Sequence, residues 1–324
     1  MASALTGLCF VILGLILIRQ YRVYTWGRCK AKRTMKGKTV VITGANSGIG
    51  KATAKELAQK DARVILACRD LVKAQSAAEE IRKVTQNGQL ILKCLDLASF
   101  ASIREFVEDV LHTETRIDVL INNAGIFQCP YMITDDGLEM QMGVNHFGHF
   151  LLTILLLDFL KKSAPSRIIV LTSALYKKGQ INFDNLNSEQ KYDKREAYNN
   201  SKLANVLFVR ELHRRFHHNN VNVYAVSPGH VYTNLGRHLH IPWYKLLMMA
   251  PLAWFFVRTP KQGCQTVLHC AMSEDLDKES GKYYRNCSVE SYNDVANDQG
   301  LAKKLWEVSE EVTNTKQHKM KLKF

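Results

Sequence analysis

The chain has 324 residues, of which 46% are hydrophobic and 23% charged, and its formal net charge is +14. This composition excludes a collagen-like, a disordered or a small disulfide-stapled protein. Eight basic and no acidic residues lie between Arg19 and Lys38, and four more basic residues lie in the last twelve positions, which leaves +2 for residues 39 to 312. Because the body of the chain is nearly neutral, we expect no nucleic-acid partner.

A mostly apolar stretch of seventeen uncharged residues, from Ala2 to Ile18, opens the chain. Its length lies at the lower limit for a helix that crosses a bilayer core of about 30 Å. A cleaved signal peptide is the alternative, but it requires basic residues before the apolar stretch, and here they follow it. We predict a membrane anchor over 1–18 and a basic juxtamembrane linker over 19–37. The positive-inside rule then places the rest of the chain in the cytosol.

From Lys38 onward, short apolar runs alternate with longer segments of helical spacing. Continuous Val, Ile and Leu runs are typical of parallel strands that are buried on both faces. We predict one α/β domain over 38–312, a doubly wound, Rossmann-type parallel sheet of about seven strands with helices on both faces, followed by a basic tail over 313–324. The predicted strands are 38–43, 63–68, 89–97, 118–125, 167–173, 221–229 and 281–289, and the predicted helices are 49–59, 71–85, 99–112, 137–160 and 197–217.

A glycine-rich segment, TGANSGIG, lies between the first predicted strand and the first predicted helix. Its glycines let the backbone turn tightly and approach a pyrophosphate, which the amino end of the helix attracts. The spacing G-x-x-x-G-x-G differs from the G-x-G-x-x-G fingerprint, and a purely structural turn is the alternative. The position between strand and helix favours a dinucleotide site. Its predicted residues are Gly44, Ala45, Asn46, Ser47, Gly48, Ile49 and Gly50.

The second predicted strand ends in ACRD, where a dinucleotide-binding sheet holds the adenosine ribose. The guanidinium of Arg69 suits the 2′-phosphate of NADP, whereas a carboxylate in that place would bond the 2′-hydroxyl of NAD and repel the phosphate. Asp70 follows, and the sequence leaves its direction open. We predict NADP(H) as the cofactor, an ordinary surface charge at Arg69 being the alternative.

Tyr198 and Lys202 are four residues apart on a predicted helix, so their side chains share one face. A phenol with an ordinary pKa of about 10 is a poor acid–base catalyst at neutral pH. An ammonium group beside it stabilises the phenolate and lowers that pKa, which makes the pair a candidate catalytic unit. The spacing also arises by chance. It gains weight from Ser173 at the end of the fifth predicted strand and Asn145 in the preceding predicted helix.

Six motifs occur in one order: TGANSGIG, NNAG (122–125), Asn145, Ser173, Tyr198-x-x-x-Lys202 and PGHVYT (228–233). Together they resemble the motif set of the short-chain dehydrogenase/reductase superfamily over 38–233. The apolar amino terminus, ACRD, CLDL, NHFGHFLLT, APSRI and YNNSKLANVLF are similar to the membrane-anchored retinol dehydrogenases, which reduce retinal with NADPH.

This resemblance implies an NADP(H)-dependent oxidoreductase that interconverts a lipophilic alcohol and its aldehyde or ketone, with retinal reduction to retinol as the leading reaction. It also implies the endoplasmic reticulum membrane as the location. Two alternatives stay open: a hydroxysteroid or lipid-aldehyde dehydrogenase, and a catalytically idle NADP-binding membrane scaffold.

The resemblance assigns roles to the catalytic candidates. Tyr198 would protonate the substrate oxygen, Ser173 would hydrogen-bond the same oxygen, and Lys202 would assist Tyr198 and hold the nicotinamide ribose. Asn145 would position a water that links Lys202 to solvent. Further cofactor contacts are implied for Asp96, Leu97, Asn122, Ala124, Gly125, Pro228, Gly229 and Thr233. Structural roles, such as capping a strand end, satisfying buried backbone groups or forming a turn, are the alternative for each of these residues.

An apolar segment with one charge in seventeen residues, 241–257, follows the sixth predicted strand. Two prolines and a lysine interrupt it, so we predict a substrate lid rather than a second membrane crossing. A membrane contact of its outer face, a helix pair on the core and a homodimer contact are the alternatives. The predicted substrate contacts, besides Ser173, are Trp243, Met248, Trp254 and Phe255.

The cysteine and histidine residues are spread along the chain. The eight cysteines include no C-x-x-C pair, and the eleven histidines show no metal-ligand spacing with a third partner. We therefore predict neither a disulfide framework nor a metal site. Reduced thiols agree with a domain in the cytosol.

Overall fold

One sheet of eight strands organises the protein. The computed structural model describes residues 2–238 and 242–316, so Ile241 of the predicted lid and Lys319, Lys321 and Lys323 of the predicted tail lie outside the described residues. The strands are β1 (Thr39–Thr43), β2 (Arg63–Cys68), β3 (Gln89–Cys94), β4 (Val119–Asn122), β5 (Ser166–Leu171), β6 (Val221–Ser227), β7 (Lys282–Arg285) and β8 (Ser288–Glu290). Their order is β3-β2-β1-β4-β5-β6-β7-β8, and only β8 runs antiparallel to its neighbour.

The helices precede, connect and follow these strands. They are α1 (Ala2–Tyr24), α2 (Gly48–Ala58), α3 (Leu71–Arg82), α4 (Phe100–Thr113), α5 (Met140–Met142), α6 (Gly148–Lys162), α7 (Lys194–Phe216), α8 (Trp243–Phe256), α9 (Pro260–Gly263), α10 (Gln265–Met272), α11 (Asp294–Asn297) and α12 (Gln299–Val312). A π-helical turn, Gly143–Phe147, joins α5 to α6.

Consecutive residues of the central strands belong to two different cores. Val40 and Ile42 pack with α2, α3 and α10, whereas Val41 between them packs with α4, α6 and α7. Strands with one core on each face have no polar side, which is why their sequences are continuous apolar runs. The predicted α/β, doubly wound fold is confirmed.

The predicted count of about seven strands is wrong by one. The segment 281–289, predicted as a single strand, is a hairpin of β7 and β8. Asn286 and Cys287 form its turn, each with φ of +56°, the left-handed conformation that two-residue hairpin turns require. Asn-Cys is not one of the usual turn pairs, so no local signal in the sequence predicts the reversal.

A long apolar stretch lies at the centre of the protein. Among the described residues, Met140–Lys162 is long and apolar enough to cross a membrane, but 78% of its most apolar window is buried inside the protein. It is therefore a core helix, and it packs against the sheet. Among its described residues the structure has no clear transmembrane helix at the amino terminus. Residues 2–18 of the predicted anchor lie in α1, Met1 lies outside the described residues, and the membrane crossing stays a prediction.

The segment that follows α1 packs on the α/β domain. The Met35 side chain is buried in the core that includes α2, α3 and α10, and the Cys29 amide donates to the side chain of Gln265 over 3.1 Å. Arg33 forms an ion pair with Asp277. The residues predicted as a juxtamembrane linker thus include several with fixed contacts to the domain.

Candidate active site

A crevice of about 610 Å³ opens at the carboxyl ends of the strands, where the strand order reverses between β1 and β4. In doubly wound sheets this reversal is where a dinucleotide binds. Of the predicted cofactor residues, those that line the crevice are Gly44, Asn46, Ser47, Gly48, Ile49, Arg69, Asp96, Leu97, Ala124, Gly125 and Thr233. Ala45 is fully buried, and Gly50 packs on the loop itself, since a Cβ atom there would lie 2.4 Å from the Gly44 carbonyl oxygen, so neither is on the lining.

The glycine-rich loop packs directly on the segment after β4. Gly44 has a φ of +65°, and a Cβ atom there would lie 3.0 Å from the Cα of Ala124. The side-chain amide of Asn123 donates to the carbonyl oxygen of Thr43 over 2.7 Å. The loop therefore needs glycine for both its conformation and its close contact, as its sequence predicted.

The two asparagines of the NNAG motif point in different directions. Asn123 lines the crevice, but the buried side chain of Asn122 donates to Thr153 of α6 over 2.8 Å. The prediction that Asn122 contacts the cofactor is therefore not met by its side chain in this structure. Successive residues of an extended segment face opposite sides of the sheet, so only one of the pair can point into the crevice.

Arg69 and Asp70 at the end of β2 have different partners. The Asp70 carboxylate caps α3 by accepting the amide of Lys73 over 3.0 Å, and it pairs with the Lys73 ammonium over 2.8 Å. These contacts, led by the side-chain hydrogen bond, hold the pKa of Asp70 below its usual range. The Arg69 guanidinium lies 3.7 Å from Asp96 and is 69% exposed at the mouth of the crevice. The direction of Asp70, open in the sequence, is thus toward helix α3.

Tyr198 and Lys202 lie on the buried face of α7, one turn apart. Burial raises the pKa of Tyr198 to about 12, although a hydrogen bond with Ser173 opposes the rise. Burial also lowers the pKa of Lys202 to about 8, and its ammonium donates to the carbonyl of Leu171 over 3.2 Å. The predicted lowering of the tyrosine pKa by Lys202 is not seen, because the ammonium lies 5.6 Å from the centre of the phenol ring and burial dominates.

Asn145 lies in the π-helical turn rather than in a regular helix. Its fully buried side chain accepts the amide of Ile126 over 2.8 Å and donates to the Ile126 carbonyl and to Ser201 of α7. A Cβ atom on Gly125 would lie 3.2 Å from the Asn145 side-chain oxygen and 3.7 Å from the Lys202 ammonium. Gly125, which lines the crevice, is therefore next to both the Asn145 and the Lys202 side chains. Single π-helical turns are frequent at functional sites.

His149 and Thr43 form a buried junction that the sequence prediction does not include. The Nδ1 atom of His149 lies 3.1 Å from the Asn145 carbonyl, and Nε2 lies 2.9 Å from the Thr43 hydroxyl. The same hydroxyl accepts the amides of Asn123 and Ala124, each over 2.9 Å. A histidine inside the apolar run of α6 was the available signal, because a buried polar side chain requires partners.

Phe127, the second residue after NNAG, is also absent from the sequence prediction. Its ring meets the Tyr198 ring edge to face, with centroids 4.6 Å apart. The segment that follows β4 thus supplies an apolar wall next to the phenol. An aromatic residue in a loop carries no periodic signal, so only the fold reveals this contact.

The predicted lid residues do not reach the crevice. Trp243 and Met248 are about three-quarters exposed, and Trp254 is 47% exposed. Phe255 packs edge to face on Trp254, with centroids 4.7 Å apart, and its carbonyl accepts a hydrogen bond from Arg19 of α1 over 3.0 Å. None of these four residues lines the crevice. Helix α8 instead lies against the end of α1, with Trp243, Met248 and Trp254 exposed to solvent.

The doubly wound sheet and the crevice at its switch point define an α/β protein of the dinucleotide-binding class. The family described as short chain dehydrogenase matches residues 38–241. The chain belongs to this family, within the retinol dehydrogenase subfamily, and is an oxidoreductase that acts on CH–OH groups.

Curated relatives and solved structures agree with this assignment. Retinol dehydrogenase 14 of Homo sapiens is 53% identical over 293 residues, covering 85% of this chain and 86% of its own. Retinol dehydrogenase 13 of Homo sapiens is 47% identical over 294 residues, covering 90% and 88%. The crystal structure of a putative uncharacterized protein from Mycobacterium paratuberculosis is 34% identical with a TM-score of 0.72, and it covers 89% of this chain and 97% of its own.

Proposed function

We propose that this protein is an NADP(H)-dependent reductase that converts retinal to retinol at a membrane surface. The observation that carries the cofactor assignment is that the two residues at the end of β2, Arg69 and Asp70, point to different surroundings. Asp70 is engaged by the amino end of α3, whereas Arg69 stands exposed at the mouth of the crevice. An exposed guanidinium whose nearest carboxylate, that of Asp96, lies 3.7 Å away favours a 2′-phosphate over a bare ribose.

The crevice residues fit a nicotinamide dinucleotide. The amino end of α2, with Ser47 and Gly48, would hold the pyrophosphate, and Arg69 would hold the 2′-phosphate. Asp96 and Leu97 would border the adenine, and Thr233 would hold the carboxamide. Lys202, reached across Gly125, would bond the nicotinamide ribose. When bound, NADPH supplies the hydride that reduces the substrate carbonyl.

The chain's own residues would handle the proton. Tyr198 would donate its hydroxyl proton to the substrate oxygen, and Ser173 would share the charge that develops there. The pKa of Tyr198, raised to about 12, means that the hydroxyl holds its proton until the oxygen becomes strongly basic. Lys202 and the Asn145 carbonyl would lie on the route that returns a proton to the phenol.

A lipophilic substrate and a membrane location are supported by the apolar surface of α1 and α8. Leu13 and Leu17 of α1 are more than half exposed, as are Trp243 and Met248 of α8. The two helices adjoin through Arg19, which bonds the Phe255 carbonyl. We propose that α1 anchors the protein in the endoplasmic reticulum membrane with the α/β domain in the cytosol, and that α8 borders the path of a substrate from the lipid.

The reaction is tested with the full-length protein in detergent micelles. NADPH consumption is measured with all-trans-retinal, a steroid ketone and a medium-chain aldehyde, and retinol is identified by chromatography. We expect retinal to be reduced with the highest kcat/KM of the three. Tyr198→Phe is expected to abolish turnover while NADPH still binds, because the ring that fills the site is kept and only its proton is lost.

Three results would contradict the proposal. Preference for the steroid ketone or the medium-chain aldehyde would assign a different lipophilic substrate to the same site. NADPH binding without turnover of any of the three would support a scaffold. Retained activity in Tyr198→Phe would show that the phenol is not the proton donor.

A further inference from the structure

Arg258 forms hydrogen bonds with the turn between β6 and α8. The Arg258 amide donates to the His230 carbonyl over 2.7 Å, and the Arg258 carbonyl accepts the Tyr232 amide over 2.9 Å, so Arg258 pairs with the turn as a short parallel bridge at Val231. The Arg258 guanidinium also donates to the Pro228 carbonyl over 3.1 Å. This turn, residues 228–233, therefore has a fixed partner along its length.

The guanidinium and the turn are in close contact at Gly229. That glycine has a φ of +80°, and a Cβ atom there would lie 2.9 Å from the guanidinium carbon. At the far end of the turn, Thr233 lies against the glycine-rich loop, because a Cβ atom on Gly48 would be 2.9 Å from the Thr233 methyl group. A displacement of Arg258 would thus be transmitted to Thr233, which lines the crevice.

Arg258 is buried, with 5% of its surface exposed, and within the described chain no carboxylate is paired with it. Its hydrogen-bond acceptors are the Pro228 carbonyl and the Asn286 side chain. Burial lowers the pKa of Arg258 to about 10. A buried cation with neutral partners needs a further source of stabilisation.

Trp26 supplies it. The Arg258 guanidinium carbon lies 4.9 Å from the centre of the Trp26 ring, and the Arg19 guanidinium carbon lies 4.5 Å from the same ring. Trp26 is itself buried, and the next residue, Gly27, touches the backbone of Asn286 so closely that a Cβ atom would lie 2.1 Å from its carbonyl oxygen. Trp26, the second residue after α1, therefore lies between Arg19 of that helix and Arg258, which contacts the active-site turn.

We propose that Trp26 and Arg258 are positioning residues through which the amino-terminal segment sets the affinity of the site for the nicotinamide half of the cofactor. The inference rests on the proposed use of NADP(H) at this crevice. Loss of the Trp26 ring would remove the cation–π contact on one side of the Arg258 guanidinium. The hydrogen bond from the guanidinium to the Pro228 carbonyl would then weaken, and Thr233 would be able to move. In the adenosine half of the site Arg69 pairs with Asp96, and among the described residues neither forms a hydrogen bond or ion pair with Trp26, Arg258 or Thr233.

The experiment compares two ligands on the full-length protein in detergent micelles. Dissociation constants are measured by calorimetry for NADPH and for adenosine 2′,5′-bisphosphate, which fills only the adenosine half. Trp26→Ala is expected to weaken NADPH binding roughly threefold to tenfold, the range of a partly buried cation–π contact, and to leave the fragment unchanged. Arg258→Lys, which keeps the charge but lacks the planar fork, is expected to show the same selective loss.

Two variants control for nonspecific effects. Trp26→Phe keeps an aromatic face and should recover most of the NADPH affinity. Tyr24→Ala removes an aromatic side chain of the same segment that is 81% exposed, and it should change neither constant. Binding of the fragment also reports that each variant is folded.

The outcomes separate the inference from the proposed function. If the unmodified protein bound neither ligand, the proposed cofactor would be wrong and the inference with it. If it bound both but the NADPH constant were unchanged in Trp26→Ala and Arg258→Lys, the proposed function would stand and the inference alone would fail. Equal weakening of the binding of both ligands would also overturn the inference, because the substitution would then act on the stability of the domain rather than on the nicotinamide half of the site.

Discussion

The imidazole of His149 in α6 joins the end of β1 to the π-helical turn, since Nε2 lies 2.9 Å from the Thr43 hydroxyl while Nδ1 lies 3.1 Å from the Asn145 carbonyl. Burial lowers the pKa of His149 to about 3, so the ring is neutral at physiological pH. A backbone carbonyl only accepts hydrogen bonds, which assigns the single ring proton to Nδ1. Thr43 then donates to Nε2 and accepts from the backbone on the other side.

We therefore expect His149→Gln to lower the free energy of unfolding by about 1–3 kcal/mol, because buried groups at Thr43 and Asn145 lose a partner. Thr43→Val removes the same contact from the other end and should have a cost of similar size, whereas Thr43→Ser keeps the hydroxyl. Urea denaturation of both single variants and the double variant measures the coupling. Costs that simply add in the double variant would contradict the junction.

Much of the fold follows from patterns that the sequence displays. Strands buried on both faces appear as uninterrupted apolar runs, and Gly44 marks the crevice by the conformation that it permits. Other features depend on contacts that no local pattern encodes. Whether Asn122 or Asn123 points into the crevice depends on where β4 ends. The reversal of the chain at Asn286 depends on a hairpin turn that lacks the usual glycine.

Within the site, the sequence predicted which residues assemble but not their electrostatic state. The spacing of Tyr198 and Lys202 correctly places both on one face of α7. Whether the ammonium lowers the phenol pKa depends on burial and on the distance between the two groups, which only the packed structure determines. Helix α8 shows the same limit, because an apolar segment does not reveal whether it covers a cavity or faces outward.

The rate of retinal reduction should fall as the pH rises through about 8. Burial lowers the pKa of Lys202 to about 8, so above that pH the ammonium loses the proton that the proposed relay passes to Tyr198. Tyr198 titrates at about 12 and adds no second limb nearby. The measurement is kcat/KM for retinal from about pH 6 to about pH 10. NADPH affinity is followed over the same range as a control, and a level profile would exclude Lys202 as the titrating group.

Cofactor selectivity should depend on Arg69 and not on Asp70. Arg69→Asp is expected to lower the ratio of kcat/KM with NADPH to kcat/KM with NADH by roughly tenfold to a hundredfold, since a charge-assisted contact with the 2′-phosphate is replaced by repulsion. Asp70→Asn keeps a good helix cap and should leave that ratio unchanged. If the ratio changed in Asp70→Asn alone, the Asp70 carboxylate, and not the Arg69 guanidinium, would be the group that distinguishes the two cofactors.

Polar substitutions on α8 should separate substrate delivery from chemistry. Trp243 and Met248 expose about three-quarters of their surface, and if they face lipid, Trp243→Ser with Met248→Ser should weaken association with vesicles and raise the KM for retinal presented in them. The kcat/KM for a short, water-soluble aldehyde should stay the same, because neither residue lines the crevice. Val72→Ser, a substitution of a similarly exposed apolar residue on α3, serves as the matched control. Vesicle flotation and retinal turnover at the level of the unsubstituted protein would show that α8 has another role. A contact between two copies of the chain is one such role, and the oligomeric state in solution would reveal it.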